Sequence, residues 1–365
     1  LIAGGGTGGH IFPALAVARE LKERYSSEVL FVGTARGLES RLVPQAGFRL
    51  ELIPVGPLNQ VSLATKLKTA RTLPMSLLAC SRILSDFRPD AVFGVGGYAS
   101  GPAMVTAILR RFPTMAFEPN AVPGMANRLI GKRVRAAAVN FPPAAKWFCN
   151  AEVTGIPVRP EFFCVAEPRP GAGLHLLIFG GSQGAGIFNR LLPPLAPAML
   201  EAVPGLTILH QAGARHAEAT RAAYAASGAD PSRWRVEAFL DDMAERFSAA
   251  DLILARSGAS TVAELAAAGK PSLLIPFARA ADDHQKSNAL VMVEAGAALM
   301  LEESQLGESQ LGESQGRPRI LVETVAGLLG DRLRLRAMAE AARTQAHSDA
   351  AARIAARLME LAKRS

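Results

Sequence analysis

An α/β protein of two parallel-sheet domains is predicted by three features of the sequence. Strand and helix signals alternate from one end to the other, the pattern of parallel strands joined by crossover helices. A short apolar strand followed by a glycine-rich loop and a helix start occurs twice, at Leu1 and at Leu174, about 175 residues apart. Between them the stretch Gly155-Ile156-Pro157-Val158-Arg159-Pro160 punctuates the chain. Residues 1–157 are therefore expected to form one domain and 158–344 a second, facing the first across a cleft. A helical tail, about 345–365, is expected to lean back on the first domain. At 365 residues each domain can bury its own core.

The opening stretch Leu1–Ala16 reads as a strand end, a loop and a helix. Five glycines in Gly4–Gly9 let the backbone turn tightly and let a ligand approach the main chain. The following helix aims its free N–H groups and the positive end of its dipole at that place. His10 stands beside it with a side chain that titrates near neutral pH, so proton transfer is the leading expectation. Gly4, Gly6 and Gly9 satisfy the G-x-G-x-x-G spacing. The next strand, Glu28–Val32, however runs into Gly33 and Thr34, where a dinucleotide fold places an acid for the ribose. A nicotinamide site is disfavoured.

Residues 63–85 set leucines at helical spacing beside Lys66, Lys68, Arg71 and Arg82. Such a segment is either a core-packed helix with a solvated basic face or a surface that rests on anionic lipid. Pro74 is expected to break or kink it. Lys146-Trp147-Phe148 adds either an aromatic anchor or more core. Strand Ala91–Val95 opens into a second glycine-rich turn, Gly96–Pro102, at the carboxyl end of a strand, where open α/β sheets bind ligands. Strand Pro113–Phe117 leads to Glu118-Pro119-Asn120 and a helix carrying Asn127. These polar groups suit sugar hydroxyls, or Asn120 caps the helix. The 15 residues after Pro160, with four prolines or glycines, read as a linker.

In the second half, strand Leu174–Phe179 leads to the loop Gly180–Gly186. Its N–H groups, with Ser182 and Gln183, form a nest suited to a pyrophosphate. Strand Arg235–Phe239 precedes Leu240-Asp241-Asp242, with one aspartate expected as an N-cap. Strand Asp251–Ala255 leads through Arg256–Thr261 to a helix Val262–Ala268 stopped by Gly269. Thr261 and Glu264 fit a capping box; the alternative is that Glu264 accepts both hydroxyls of a ribose. The loop Asp282–Asn288 is too polar for core. Residues 304–316 repeat a five-residue unit and read as a surface expansion without chemistry. From about Ala337 the tail is expected to be helical.

The formal charge of +8 calls for an acidic partner: nucleic acid, an anionic membrane or a phosphorylated substrate. No helix-turn-helix, RNP or zinc-finger signature is present, which ranks nucleic acid last. Cys80, Cys149 and Cys164 form no CxxC pair and are odd in number, favouring a reducing cytoplasm over a disulfide framework or zinc site. No apolar run reaches the roughly 18–20 residues that span a bilayer, and no signal peptide is visible. The chain opens inside a strand with no Met ahead of it, so a few preceding residues are expected to have been trimmed.

GGGTGGHIFPALAVA, GGYASGP, GIPVR, GGSQGA and RSGASTVAELAAAGKPSLLIPF, in this order and spacing, resemble the MurG family of glycosyltransferases over nearly the whole chain. The resemblance implies the GT-B architecture: two Rossmann-like domains across a cleft, with a C-terminal helix crossing back to the first. It implies an inverting transfer of N-acetylglucosamine from UDP-GlcNAc to the C4 hydroxyl of undecaprenyl-pyrophosphoryl-MurNAc-pentapeptide in peptidoglycan synthesis. Neither metal nor cofactor is implied. In the second domain, Leu240 would hold uracil through its backbone and Glu264 the ribose. Ser182, Gln183, Ser257, Gly258 and Thr261 would face the diphosphate, and Arg159, Arg256, Gln285 and Asn288 the sugar or its phosphates.

In the first domain, Thr7, Gly8, Gly9, Gly96, Gly97 and Tyr98 would hold the lipid pyrophosphate, with Glu118, Asn120 and Asn127 nearby. His10 would be the general base, or else a hydrogen-bonding group to the acceptor phosphate or the backbone. The resemblance further implies a peripheral position on the cytoplasmic face of the bacterial inner membrane. The implied partners are its anionic surface and other cell-wall synthesis proteins, without nucleic acid, and the implied roles include cell shape and division. The chain departs from the family at Pro119, where Gln is common, and in a longer loop after Phe277 that carries His284 where Gln is common. Another GT-B enzyme (a glycolipid glycosyltransferase or a UDP-GlcNAc 2-epimerase) and a non-catalytic nucleotide-sugar-binding protein are the alternatives.

Overall fold

A computed structural model describes residues 1–6, 8–55, 63–166, 173–280, 283–307 and 317–363, without the side chains of 63–71, 317 and 318. Two compact units divide the chain: Leu1–Pro157 with His347–Ser365, and Val158–Ala346.

The first unit runs β1 (Ile2–Gly4), α1 (Gly8–Tyr25), β2 (Leu30–Gly33), α2 (Glu39–Gln45), β3 (Arg49–Leu52), α3 (Leu63–Phe87), β4 (Val92–Gly96), α4 (Ser100–Leu109), β5 (Thr114–Glu118), α5 (Met125–Ile130), β6 (Ala136–Val139) and β7 (Ala151–Val153). Its strands pair in the order β3-β2-β1-β4-β5-β6-β7, all parallel. β5 and β6 are buried along their whole length, as expected of parallel strands covered on both faces. The strand order reverses between β1 and β4, which makes their carboxyl ends the topological switch point.

Two expectations are corrected here. α1 begins at Gly8, so Gly8, Gly9 and His10 form its first turn rather than loop. α3 runs unbroken through Pro74; the lost hydrogen bond, a cost of about 3 kcal/mol, is outweighed by packing of this long helix on α4. Phe148 is buried and Trp147 lies under the Arg128 guanidinium, so that aromatic pair belongs with the core.

The second unit runs β8 (Leu174–Phe179), α6 (Gly186–Ala202), β9 (Leu206–Gln211), α7 (Ala217–Ala226), β10 (Trp234–Glu237), α8 (Met243–Ala249), β11 (Leu252–Ala255), α9 (Ala259–Ala268), β12 (Ser272–Leu274), α10 (His284–Glu294), β13 (Ala298–Met300), α11 (Arg317–Gly330) and α12 (Arg332–Thr344). Its parallel strands pair in the order β10-β9-β8-β11-β12-β13, with the reversal between β8 and β11.

Two segments read as loose in the sequence are packed. Pro160–Cys164 forms a 3-10 turn whose Phe162 is fully buried, edge-on to Phe247 at 5.1 Å, so the first part of the expected linker is core. Glu303–Leu306, at the start of the repeat, forms another 3-10 turn with Leu306 in the hydrophobic core. Only an apolar side chain every fifth residue signals this, too sparse for helix or strand periodicity. The later copies of the repeat lie outside the described residues.

The tail is two helices, α12 and then α13 (Ala350–Lys363), which packs on α1 within the first unit. Ala350, Ile354, Leu358 and Leu361 recur every three or four residues and are all buried. Arg353 donates to Glu152 at 2.8 and 3.1 Å. The His347 ring presses on Gly155, which at φ +77° tolerates no Cβ there.

Candidate active site residues

In the first unit the glycine loop after β1 and the turn after β4 meet at the switch point. The Gly5 N–H donates to the Gly96 carbonyl at 3.3 Å. A Cβ on Gly97 would come within 2.1 Å of the Gly5 carbonyl oxygen, and φ there is +81°. Backbone packs directly on backbone, which only glycine allows. The half-buried His10 ring lies on Gly96: a Cβ there would meet its Cε1 at 2.8 Å and Nδ1 at 2.9 Å. His10 is thus held by the second glycine turn while standing in the first turn of α1. Tyr98, two residues past Gly96, is exposed. Thr7 lies outside the described residues.

Glu118 and Asn127 do not face solvent as a sugar contact would. The Glu118 carboxylate is 2 % exposed and accepts from Asn120 N (2.9 Å) and Nδ2 (3.1 Å), Gly124 N (3.2 Å) and Asn127 Nδ2 (2.9 Å). Burial pushes its pKa upward against these donors. Asn120 caps no helix; Gly124 precedes α5, and in this network only Asn120, half-exposed, and Gly124, exposed, reach solvent.

In the second unit, Ser182 and Gln183 are exposed at the tip of the loop after β8. Gly184 and Gly213 bring this loop against the one after β9: a Cβ on either would lie 2.0–2.1 Å from a carbonyl oxygen of the other loop. α9 starts at Ala259 with Gly258 as N-cap, so Thr261 and Glu264 sit further along the helix and form no capping box. That removes the capping-box reading of Glu264. Its half-buried carboxyl is pushed up to about 7 by burial, with Arg159 pulling it down and Glu161 adding to the rise. Arg159 itself lies over Phe162 at 4.9 Å and pairs with Glu161 at 3.3 Å. Leu240 is buried beside an exposed Phe239. Asp242 takes the N-cap position of α8 but its carboxylate pairs with Arg246 instead of capping.

Three residues expected to touch the donor are committed to the protein. Arg256 is 8 % exposed: it donates to the carbonyls of Ile275 and Pro276 at 3.0 Å, pairs with Glu303 at 2.5 Å and lies between Phe188 and Phe277. Ser257 Oγ, fully buried, donates to the Gln285 carbonyl at 2.8 Å. Asn288, also fully buried, donates to the Ser257 carbonyl at 3.1 Å. Gln285 is half-exposed and its Oε1 accepts from Phe277 N at 3.0 Å. These contacts tie the loop after β11 to α10 and to the end of β12.

Sequence reasoning missed Glu303 and Glu39, both buried carboxylates that hold site loops. Glu303 stands just before the repeat, next to Glu302, and nothing in its neighbours marks it. For Glu39 the only trace was the pair of glycines, Gly33 and Gly37, that make room for it.

Comparison with known proteins agrees with this architecture. Residues 1–139 match the glycosyltransferase family 28 N-terminal domain and 175–354 its C-terminal domain. The chain is 45% identical over its full length to a UDP-N-acetylglucosamine--N-acetylmuramyl-(pentapeptide) pyrophosphoryl-undecaprenol N-acetylglucosamine transferase of Solibacter usitatus (strain Ellin6076), of which it covers 96%. It is 43% identical to the protein of that name from Anaeromyxobacter dehalogenans (strain 2CP-C), over all of this chain and 93% of the relative. It superimposes on crystalline Acinetobacter baumannii MurG with a TM-score of 0.78, at 31% identity and 98% coverage of both chains. With two parallel-sheet units of GT-B type, matched along their length by family models and full-length relatives, the chain is a glycosyltransferase and belongs to the MurG family.

Proposed function

We propose that this protein transfers N-acetylglucosamine from UDP-GlcNAc, held by the second unit, to the C4 hydroxyl of the MurNAc of an undecaprenyl-pyrophosphoryl pentapeptide acceptor held by the first. Full-length identity to relatives of that name supports the substrates. The observation that carries the division of labour is Glu264: a half-buried carboxyl with no capping duty, on the helix that follows the switch-point strand. It accepts the two ribose hydroxyls, Leu240 holds uracil through its backbone, and Ser182, Gln183, Gly258 and the first turn of α9 face the diphosphate. Arg256, Ser257 and Asn288 act from behind, by fixing the loops.

In the reaction His10 takes the proton of the C4 hydroxyl as that oxygen attacks C1 of the donor sugar. The C1–oxygen bond to UDP breaks on the opposite face, which inverts the anomeric centre. Negative charge grows on the leaving β-phosphate, where N–H groups at a helix start stabilise it. The test is incubation of labelled UDP-GlcNAc with and without the lipid acceptor. Label should enter the lipid only when acceptor is present; conversion of the donor sugar without lipid would identify an epimerase instead.

The first unit also carries the peripheral membrane surface. Among the described residues no helix is long and apolar enough to cross a bilayer. Leu78, Leu109 and Leu129 are each at least two-thirds exposed, on the neighbouring helices α3, α4 and α5, near Arg82, Arg110 and Arg133. The side chains of Lys66, Lys68 and Arg71 lie outside the described residues. Such a rim of cations around leucines fits an anionic interface, here the cytoplasmic leaflet. Replacing the three leucines by Ser should lower binding to phosphatidylglycerol vesicles; unchanged binding moves the docking face elsewhere.

A further inference from the structure

We propose that Glu39 is a positioning residue for the acceptor half of the reaction, fixing the glycine loop so that the first turn of α1 presents His10 and the N–H groups of Gly8 and Gly9 to the acceptor. This rests on the reading that the first unit holds the acceptor. Glu39 opens α2 and is 1 % exposed. Its Oε2 accepts from Gly6 N at 2.7 Å; its Oε1 accepts from Thr34 N and Thr34 Oγ1, both at 2.9 Å. A buried carboxylate of this kind is costly unless fully paired. Three donors and its place at a helix N-terminus supply the compensation.

The carboxylate is closely seated between glycines. A Cβ on Gly5, Gly33 or Gly37 would lie 2.2, 2.5 or 1.9 Å from Glu39 atoms, so three glycines make its socket. The Leu38 N–H also donates to the Gly6 carbonyl at 3.4 Å, so both backbone groups of Gly6 are held by the start of α2. Gly5 N–H is held from the other side by Gly96. The N–H groups of Gly5 and Gly6, which a dinucleotide fold would turn toward a pyrophosphate, are therefore consumed internally. The N–H groups of Gly8 and Gly9 start a helix and have no acceptor within it. Glu39 decides which part of the glycine loop can serve the ligand, without touching the ligand itself.

Glu39→Gln tests this, because its amide must set a donor against Gly6 N–H or against Thr34. The KM for undecaprenyl-pyrophosphoryl-MurNAc-pentapeptide should rise and kcat should fall, with kcat/KM down about 30-fold, while UDP affinity by calorimetry stays within about twofold. Gly37→Ala, at a backbone conformation open to any residue, displaces the carboxylate without removing its charge and should reproduce the split if Glu39→Gln does not fold. Equal loss of acceptor turnover and UDP affinity, or kcat/KM near wild type in either folded variant, overturns the assignment. Should His10→Ala also retain full turnover, the acceptor-site reading itself fails.

Discussion

The two units build the same strand–glycine–helix device and finish it differently. After β1 the loop is clamped from both sides: Gly5 to Gly96, and Gly6 to Glu39 and Leu38. After β8 the corresponding loop is a short turn, Gly184 N–H to the Gly181 carbonyl at 2.8 Å, with Ser182 and Gln183 exposed at its tip. In the first unit a carboxylate lies beneath the glycines and a histidine beside them. In the second the carboxyl of Glu264 lies on α9, after the neighbouring strand β11, and a cation, Arg256, is buried in the loop between them. A clamped loop suits a step in which one atom must be aimed; an open polar tip suits holding a diphosphate through several weak contacts.

Three experiments can break or sharpen that contrast. The largest effect is expected at His10. His10→Ala should lower turnover by at least about a hundredfold and leave UDP affinity intact. A parallel loss of UDP affinity would end the division of labour between the units.

The next concerns acid stability, which should fail first in the second unit. His210 is fully buried, with Nδ1 3.2 Å from Tyr224 Oη and Nε2 without a partner among the described residues, and burial lowers its pKa to about 3. The unfolded chain takes a proton below about 6.5 while the folded one does not. The stabilisation is therefore complete above that pH and is lost as pH falls toward 3. Between pH 6.5 and 5 the loss should be about 2 kcal/mol, and His210→Gln should flatten it. Trp147 and Trp234 lie in different units, and Trp234 stacks on Tyr224 at 5.1 Å. Fluorescence of a Trp147→Phe background thus reports the second unit alone, and an unchanged slope in His210→Gln would place the acid lesion elsewhere.

The smallest effect has two signs. Glu264 has a pKa of about 7 when folded, above its ordinary value of 4.5. The folded state holds the proton longer, so this residue's contribution is most favourable below pH 4.5 and is lost as pH rises through about 7. Glu264→Gln should raise the melting temperature at pH 8 by an amount worth roughly 1–2 kcal/mol, and weaken UDP binding about tenfold. Wild-type UDP affinity should itself improve from pH 6 to 8. A variant that loses stability and keeps UDP affinity would return Glu264 to a structural role.

The alternation of elements and both glycine loops were legible because each leaves a local signature: an apolar run or a glycine cluster. What could not be read was direction. Arg256, Asn288 and Glu118 look from the chain like polar groups bound for a ligand, yet they turn inward, because the chain does not show that Glu303, the Ser257 carbonyl and Asn127 fold back to satisfy them. The Thr261–Glu264 spacing matched a cap, but the helix starts two residues before Thr261, and a cap depends on the start rather than the spacing. Pro74 does not end α3, which continues past it to Phe87.

The return of α13 to α1 has a consequence for how the molecule is made. The apolar face of α1 receives its cover from residues 350–361, which are synthesised only after the whole of 158–346. At about 5–20 residues per second, the nascent first unit waits on the order of ten seconds or more with that face bare on the ribosome. Truncation just before residue 347 should spare the later-made unit and expose the earlier one to aggregation.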